Sequence, residues 1–319
     1  MTYLHRLIVM LAVCAPLIVR GADPLGNLPM PPGQLQHRLL YDDFTIRSAK
    51  GAGGGVMGAK KLELQFAEEP TLVEAKWKAT SSSGDSWNNS PRREIGVYAM
   101  QAYFLDESEY LVPPTAARCI SLATYRVVDA ETRPTFEGTS CVFGALSAWL
   151  RNVEQPHPVF DRARDSKDSL YAVRFGDLNL LHYLVDHRDS RANNFLMSTD
   201  PSDPRLFSVD NGIAFGGVLY NFFTWHFNQI HAPLPRAAID RLRTVSRQDL
   251  NRLGVLAQLE IANGVLRNVP LGINIDTEKG MRWAGRTLQF GLTRAEIDAV
   301  ADRLRTLLAD VDAGELRVF

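Results

Sequence analysis

Asp189 and Asn194 stand five residues apart in His187-Arg188-Asp189-Ser190-Arg191-Ala192-Asn193-Asn194, directly after an apolar run that ends near Val185. A carboxylate so placed can accept a proton from a hydroxyl or orient it, and a nearby amide oxygen can ligate a metal ion. A second carboxylate follows in Phe207-Ser208-Val209-Asp210-Asn211-Gly212. Between the two motifs lie an apolar run at 195–197, a turn-rich stretch from Thr199 to Pro204, and another apolar run at 206–209. That pattern predicts a hairpin. The ends of a hairpin meet, so Asn194 and Asp210 are expected side by side. Two oxygen donors at one point suit a Mg²⁺ ion, which otherwise keeps waters and substrate phosphates.

Three further features precede this pair. The cluster Gly51-Ala52-Gly53-Gly54-Gly55-Val56-Met57-Gly58 places Gly53, Gly55 and Gly58 between two predicted strands. Glycine backbone can approach phosphate oxygens closely and offer them N–H groups. A strand follows the cluster, so the pattern is not that of a dinucleotide-binding strand–turn–helix unit. Taken alone, it reads equally as a hairpin turn. Next, the run from Leu72 to Ala79 puts Glu74, Lys76 and Lys78 on one face by period two. A lysine on an inner strand can meet phosphate as a point charge. Periodicity does not choose between Lys76 and Lys78. Third, Glu94 falls in the first turn of a helix that Ser90 is expected to cap and Pro91 to open. A carboxylate there favours the helix dipole, and it can also hold a strand lysine in place.

The elements around these residues follow from periodicity. Residues 39–80 read as strands and 81–90 as a polar loop. Ile95, Tyr98, Ala99, Ala102 and Tyr103 form the expected buried stripe of the Glu94 helix. Strand-like runs cover 118–128 and 139–145, and from Leu146 the chain reads as mainly helical. Thr293 with Glu296 predicts a capping box, opening a final helix that buries Ile297, Val300, Ala301, Leu304, Leu307, Leu308 and Val311. Strands first and helices after give an α+β class: a small sheet-rich lobe followed by a larger helical one. The aromatic run at 220–227, with Trp225, reads as core of the second lobe. His182/His187 and His226/His231 are each five apart and do not fit the zinc-helix spacing.

Composition narrows the classes. The chain has 319 residues with 35 basic and 36 acidic side chains, which argues against a strongly basic nucleic-acid binder. Arg6, the 13-residue apolar run 7–19 and the small residues Val19 and Gly21 read as a secretory signal peptide, residues 1–21. The run is short for a membrane span and Pro16 interrupts it. Residues 22–38 read as an extended Pro/Gly-rich lead-in, 39–145 as the first lobe and 146–319 as the second. The expected location is secreted or periplasmic, with no stable membrane span after cleavage. Only Cys119 and Cys141 then remain. A turn near Arg133-Pro134 would set Cys119 opposite a residue near Ser147, so two separate buried thiols are the simpler expectation.

With these motifs in order, the chain resembles the atypical protein-kinase-like phosphotransferases. The branch is the one that includes phosphatidylinositol 3-/4-kinase-like proteins and the secreted Golgi casein-kinase-like enzymes. Arg93-Glu94-Ile95-Gly96-Val97-Tyr98 and Val112-Pro113-Pro114-Thr115 add to the likeness, which covers roughly residues 39–235. The resemblance implies a two-lobed protein-kinase-like fold that binds ATP with Mg²⁺ or Mn²⁺. It implies Lys78 as the nucleotide lysine, Glu94 as its helix partner and Asp189 as the catalytic aspartate. It also implies Asn194 and Asp210 as metal ligands, and Gly53, Gly55 and Gly58 as the phosphate loop. Ser190-Arg191 and Ala79 depart from the pattern, and no Ala-Pro-Glu follows Asp210. The implied activity is transfer of the ATP γ-phosphate to a hydroxyl of a protein, glycan or lipid outside the cytoplasm. A binding module without transfer activity and a nucleotidyl transferase on the same scaffold are the alternatives.

Overall fold

Alternation in the first strands turns their two faces to different fates. The computed structural model describes residues 26–53, 58–67, 71–85, 90–189, 192–216 and 233–319. In it β1 (Phe44–Gly51), β2 (Lys60–Phe66), β3 (Val73–Ala79), β4 (Thr115–Ser121) and β5 (Cys141–Ala148) form one antiparallel sheet in the order β1-β2-β3-β5-β4. Leu62, Leu64, Phe66, Val73, Ala75 and Trp77 fill one side. Helix α1 (Pro32–Tyr41) closes that side with Leu35 and Leu39, both fully buried. Burying a leucine contributes about 2 kcal/mol, so this pair anchors the helix. The lead-in is therefore helical where an extended chain was expected. Pro32 sits at the first helical position, where its missing N–H is harmless. The opposite face of β2 and β3 carries Lys61, Glu63, Glu74, Lys76 and Lys78.

Helix α2 (Pro91–Gln101) crosses behind this polar face. Ser90 occupies its N-cap position, but the hydroxyl donates to Asp85 at 2.6 Å instead of capping the helix. The expected stripe holds in part: Ile95 is buried and Tyr98, Ala99 and Tyr103 pack against the core. Ala102, however, is exposed, and Val97, Met100 and Phe104 outside the stripe are deeply buried. The helix packs against β4, β5 and α5 (Ser169–Leu184) at once, so no single stripe describes it.

The class is α+β, with several antiparallel sheets and eight α-helices among the described residues. Helices α5, α6 (Arg236–Thr244), α7 (Arg247–Asn251) and α8 (Arg294–Asp312) share a second apolar core with α2. The predicted capping box of α8 is present, with Thr293 N–H on Glu296 at 2.9 Å and Glu296 N–H on Thr293 at 3.3 Å. The stretch after Leu146 is not mainly helical, however. Strands β9 (Ala257–Ala262), β10 (Val265–Asn268), β11 (Met281–Ala284) and β12 (Thr287–Phe290) form a four-stranded antiparallel sheet. Its turn Asn263-Gly264 has φ of 51° and 79°, the left-handed pair that a two-residue hairpin requires. Leu259, Leu266, Leu288 and Phe290 pack on Ala117, Cys119, Cys141 and Phe143 of the first sheet.

Cys119 and Cys141 are joined by a disulfide, with Cα atoms 5.4 Å apart. This corrects the expectation of separate thiols. The run 118–128 is not one strand: β4 stops at Ser121 and α3 (Leu122–Tyr125) follows. Pairing is thereby displaced, so that Cys119 faces Phe143 and Ser121 faces Cys141. Cys141 then lies diagonally across from Cys119, within reach.

Candidate functional site

The polar face of β3 decides which lysine is enclosed. Lys78 is 7% exposed and Glu94 on α2 is 5% exposed. The Lys78 ammonium donates to Glu94 Oε1 and to Asp210 Oδ1. Burial works against the charged amine, but the two carboxylates prevail and raise its pKa. Lys76, two residues earlier and half-buried, stands 3.6 Å from the same Asp210 oxygen. Partial burial pushes the Asp210 carboxyl up, yet Lys78 and Lys76 bring it down to about 2. Asp210 itself has φ of 64°, a left-handed conformation that disfavours a side chain and persists where the surroundings enforce it.

The expected hairpin is formed by β7 (Phe195–Ser198) and β8 (Leu206–Ser208), with β6 (Val153–Glu154) alongside β7. Phe195 pairs with Ser208, and Val209 N–H donates to the Asn194 carbonyl at 2.9 Å. The two ends of the hairpin are thus joined at their backbones, one residue from Asp210. Asn194 is buried, and its Nδ2 donates to the Asp189 carbonyl at 2.7 Å. That bond fixes the amide so that Oδ1 is its acceptor end, and it ties the Asp189 segment to the hairpin.

Two histidines support this loop from below. His182 at the end of α5 and His187 stack with ring centroids 4.4 Å apart. His182 Nε2 meets Ser208 Oγ at 2.9 Å, and Ser208 donates to Asn211 Oδ1 at 2.6 Å. Desolvation lowers both imidazole pKa values, so the pair is neutral packing and not a charged site. Asp189, Asp210 and Glu94 each act on His187 in the opposite sense, raising its pKa, but burial outweighs them.

Gly53 and Gly58 both take positive φ, 77° and 67°, and Ala52 N–H closes on the Ala59 carbonyl at 3.0 Å. They flank the tip of the β1–β2 hairpin. Gly55 lies outside the described residues, as do the signal segment 1–21, Ser190, Arg191, the aromatic run with Trp225, His226 and His231.

One part of the site has no counterpart in the motifs. Arg92, buried on α2, holds Asp85 at 2.8 Å and Glu296 with both its terminal nitrogens, the longer contact being 3.1 Å. Arg93 adds a contact to Glu296 at 3.0 Å. Burial raises the Glu296 carboxyl, but the arginines and the Thr293 N–H outweigh it, so its pKa is lowered. This network fastens the start of α2, and with it Glu94, to the start of α8. No local signal announces it, because Arg92 and Glu296 are two hundred residues apart.

Compared with known protein families and with curated proteins, the chain matches none. Asn194 Oδ1 and the Asp210 carboxylate are hard oxygen donors, suited to Mg²⁺ or Mn²⁺ and not to a thiophilic metal. No group of three or more His, Cys, Asp or Glu able to hold a metal exists among the described residues. Two protein oxygens fit an ion that completes its shell with water and phosphate. Among the described residues no helix is long and apolar enough to cross a membrane.

Proposed function

We propose that the protein is an extracytoplasmic ATP-dependent phosphotransferase of two-lobed, protein-kinase-like architecture. The observation that carries this reading is the Lys78 ammonium held between Glu94 on α2 and Asp210 at the hairpin base. An enclosed cation fixed at two points is a pre-organised partner for phosphate oxygens, and such catalysis is mostly positioning plus electrostatic stabilisation. Gly53, Gly55 and Gly58 offer backbone to the phosphates. Asn194 and Asp210 would hold the divalent ion, whose contribution when bound is to neutralise charge on the transferring group. Asp189 orients the acceptor hydroxyl and takes its proton as the new O–P bond forms and the bond from the γ-phosphorus to the β–γ bridging oxygen breaks, releasing ADP. The acceptor is a hydroxyl of a protein, glycan or lipid.

The test is incubation of the protein with labelled ATP, Mg²⁺ or Mn²⁺, and an extract of envelope protein, lipid and glycan, against Asp210→Ala. Transfer of label from the γ-position, lost in the variant, is the expected result. Label transferred only from the α-position would identify nucleotidyl transfer instead. Failure to bind or turn over Mg-ATP would leave a binding module.

A further inference from the structure

The face of the first sheet that carries Lys78 also carries a row of lysines that the reaction above does not use. By strand register Lys50 of β1 stands opposite Lys61 of β2, and Lys61 stands opposite Lys76 of β3. Like charges directly opposed in a sheet are destabilising. Here the inner two are largely enclosed, with side chains 15% and 21% exposed, so solvent screens them poorly. Lys61 is offset by Glu74 at 2.7 Å and by the ring of Trp149, 4.3 Å from its ammonium. Lys76 has one ion-pair partner among the described residues, Asp210, and shares that oxygen with Lys78. Each enclosed lysine is thus met by a carboxylate, but Lys76 only by one whose oxygen it shares with Lys78. The row makes sense as a seat for anionic charge.

We propose that Lys76, backed by Lys61, forms a second oxyanion subsite that takes a phosphate group adjacent to the one Lys78 takes. The ligand class is a polyphosphate chain. The proposal rests on the phosphate-handling reading of Lys78 and Asp210. Lys76 and Lys78 are two residues apart on one strand face, about 6.5 Å along the backbone, and each carries a flexible four-carbon stem. Their ammoniums already converge on one carboxylate oxygen. They can converge equally on neighbouring phosphates of one chain, which a single phosphate cannot satisfy.

Calorimetric titration of the full chain with Mg²⁺ and inorganic tripolyphosphate, ATP or AMP separates the sources of phosphate. Lys76→Met should weaken tripolyphosphate and ATP about tenfold, the loss of one charge-assisted contact, and AMP by less than about twofold. Lys76→Arg should stay within about threefold of the parent. The melting temperature of Lys76→Met should stay near that of the parent, since Lys78 still compensates Asp210 while the opposition to Lys61 is relieved. Tripolyphosphate binding that needs Lys76, with no binding of ATP, would sustain the subsite and defeat the nucleotide reading. Unchanged tripolyphosphate affinity in Lys76→Met would overturn the proposal, as would an equal loss for AMP or no tripolyphosphate binding by the parent. If Lys76→Met melts well below the parent, Lys76→Arg decides, and a loss as large as in methionine would overturn it.

Discussion

Replacing Lys78 with methionine removes the charge on which the cleft is organised while keeping most of the stem. Glu94, 5% exposed, then loses the cation it contacts inside the protein. Asp210 is treated more gently, because 39% of its side chain meets solvent and Lys76 remains 3.6 Å away. Removing one partner of a buried ion pair costs about 3–5 kcal/mol, since the other charge stays buried. With Asp210 still compensated, the lower end applies, about 3 kcal/mol. Glu94→Gln is milder, about 1–2 kcal/mol, because Lys78 keeps Asp210. The double variant leaves no unpaired buried charge. It should lose about 2 kcal/mol, not the sum, which gives a coupling of about 2–3 kcal/mol. Urea unfolding at pH 7 measures all three variants, and Lys78→Met should melt roughly 6 °C below the parent. Strictly additive losses, or a Lys78→Met loss under about 1 kcal/mol, would refute the claim that these charges depend on each other.

Asp189→Ala should lower phosphoryl transfer by about 10²–10⁴-fold, while Asn194 keeps its bond to the backbone carbonyl of residue 189. An unchanged rate would remove Asp189 from the mechanism. Replacing Cys119 and Cys141 together by alanine opens a loop of sequence separation 22 and should cost about 3 kcal/mol in urea unfolding. No loss would mean that the purified chain does not carry the bond. Asp177, buried on α5, is pushed up to about 7 by burial and by Glu109, against the pull of Arg174 and Arg241. Its folded pKa lies above the unfolded value, so the wild-type chain loses stability as pH rises from about 4 to 7. Asp177→Asn should therefore stabilise by at least about 1 kcal/mol at pH 7, with the gain shrinking towards pH 4. A gain that does not vary with pH would refute this.

What could be read in the sequence was local. The β7–β8 hairpin is spelled by two short apolar runs around Thr199-Asp200-Pro201-Ser202-Asp203-Pro204, and the α8 start by Thr293 and Glu296 three residues apart. Lys76 and Lys78 were inseparable because period two gives them the same face; depth separates them, and depth is a property of how α2 lies on the sheet. The disulfide depended on pairing register, which a four-residue helix after Ser121 shifts. The second sheet had a usable signal in Asn263-Gly264, but its strands β10, β11 and β12 are only four residues long and alternate too briefly to stand out. The Arg92–Glu296 tie was beyond any local reading.

The balance of charge in the cleft constrains its ligand further than any one residue does. Lys61, Lys76 and Lys78 face Glu74, Glu94 and Asp210, three cations against three anions in contact. An anion alone would approach Lys76 and Lys78 against the Asp210 carboxylate that sits between them. A cation alone would draw Asp210 away and leave both lysines facing one another beside a further positive charge. Each single ligand disturbs a balanced set of enclosed charges, and the penalty grows as water is excluded. A cation with a polyanion restores the balance on both sides, since Asp210 turns to one while Lys76 and Lys78 turn to the other. The arrangement therefore favours a metal–phosphate salt over either component, a selectivity that follows from the shared Asp210 oxygen.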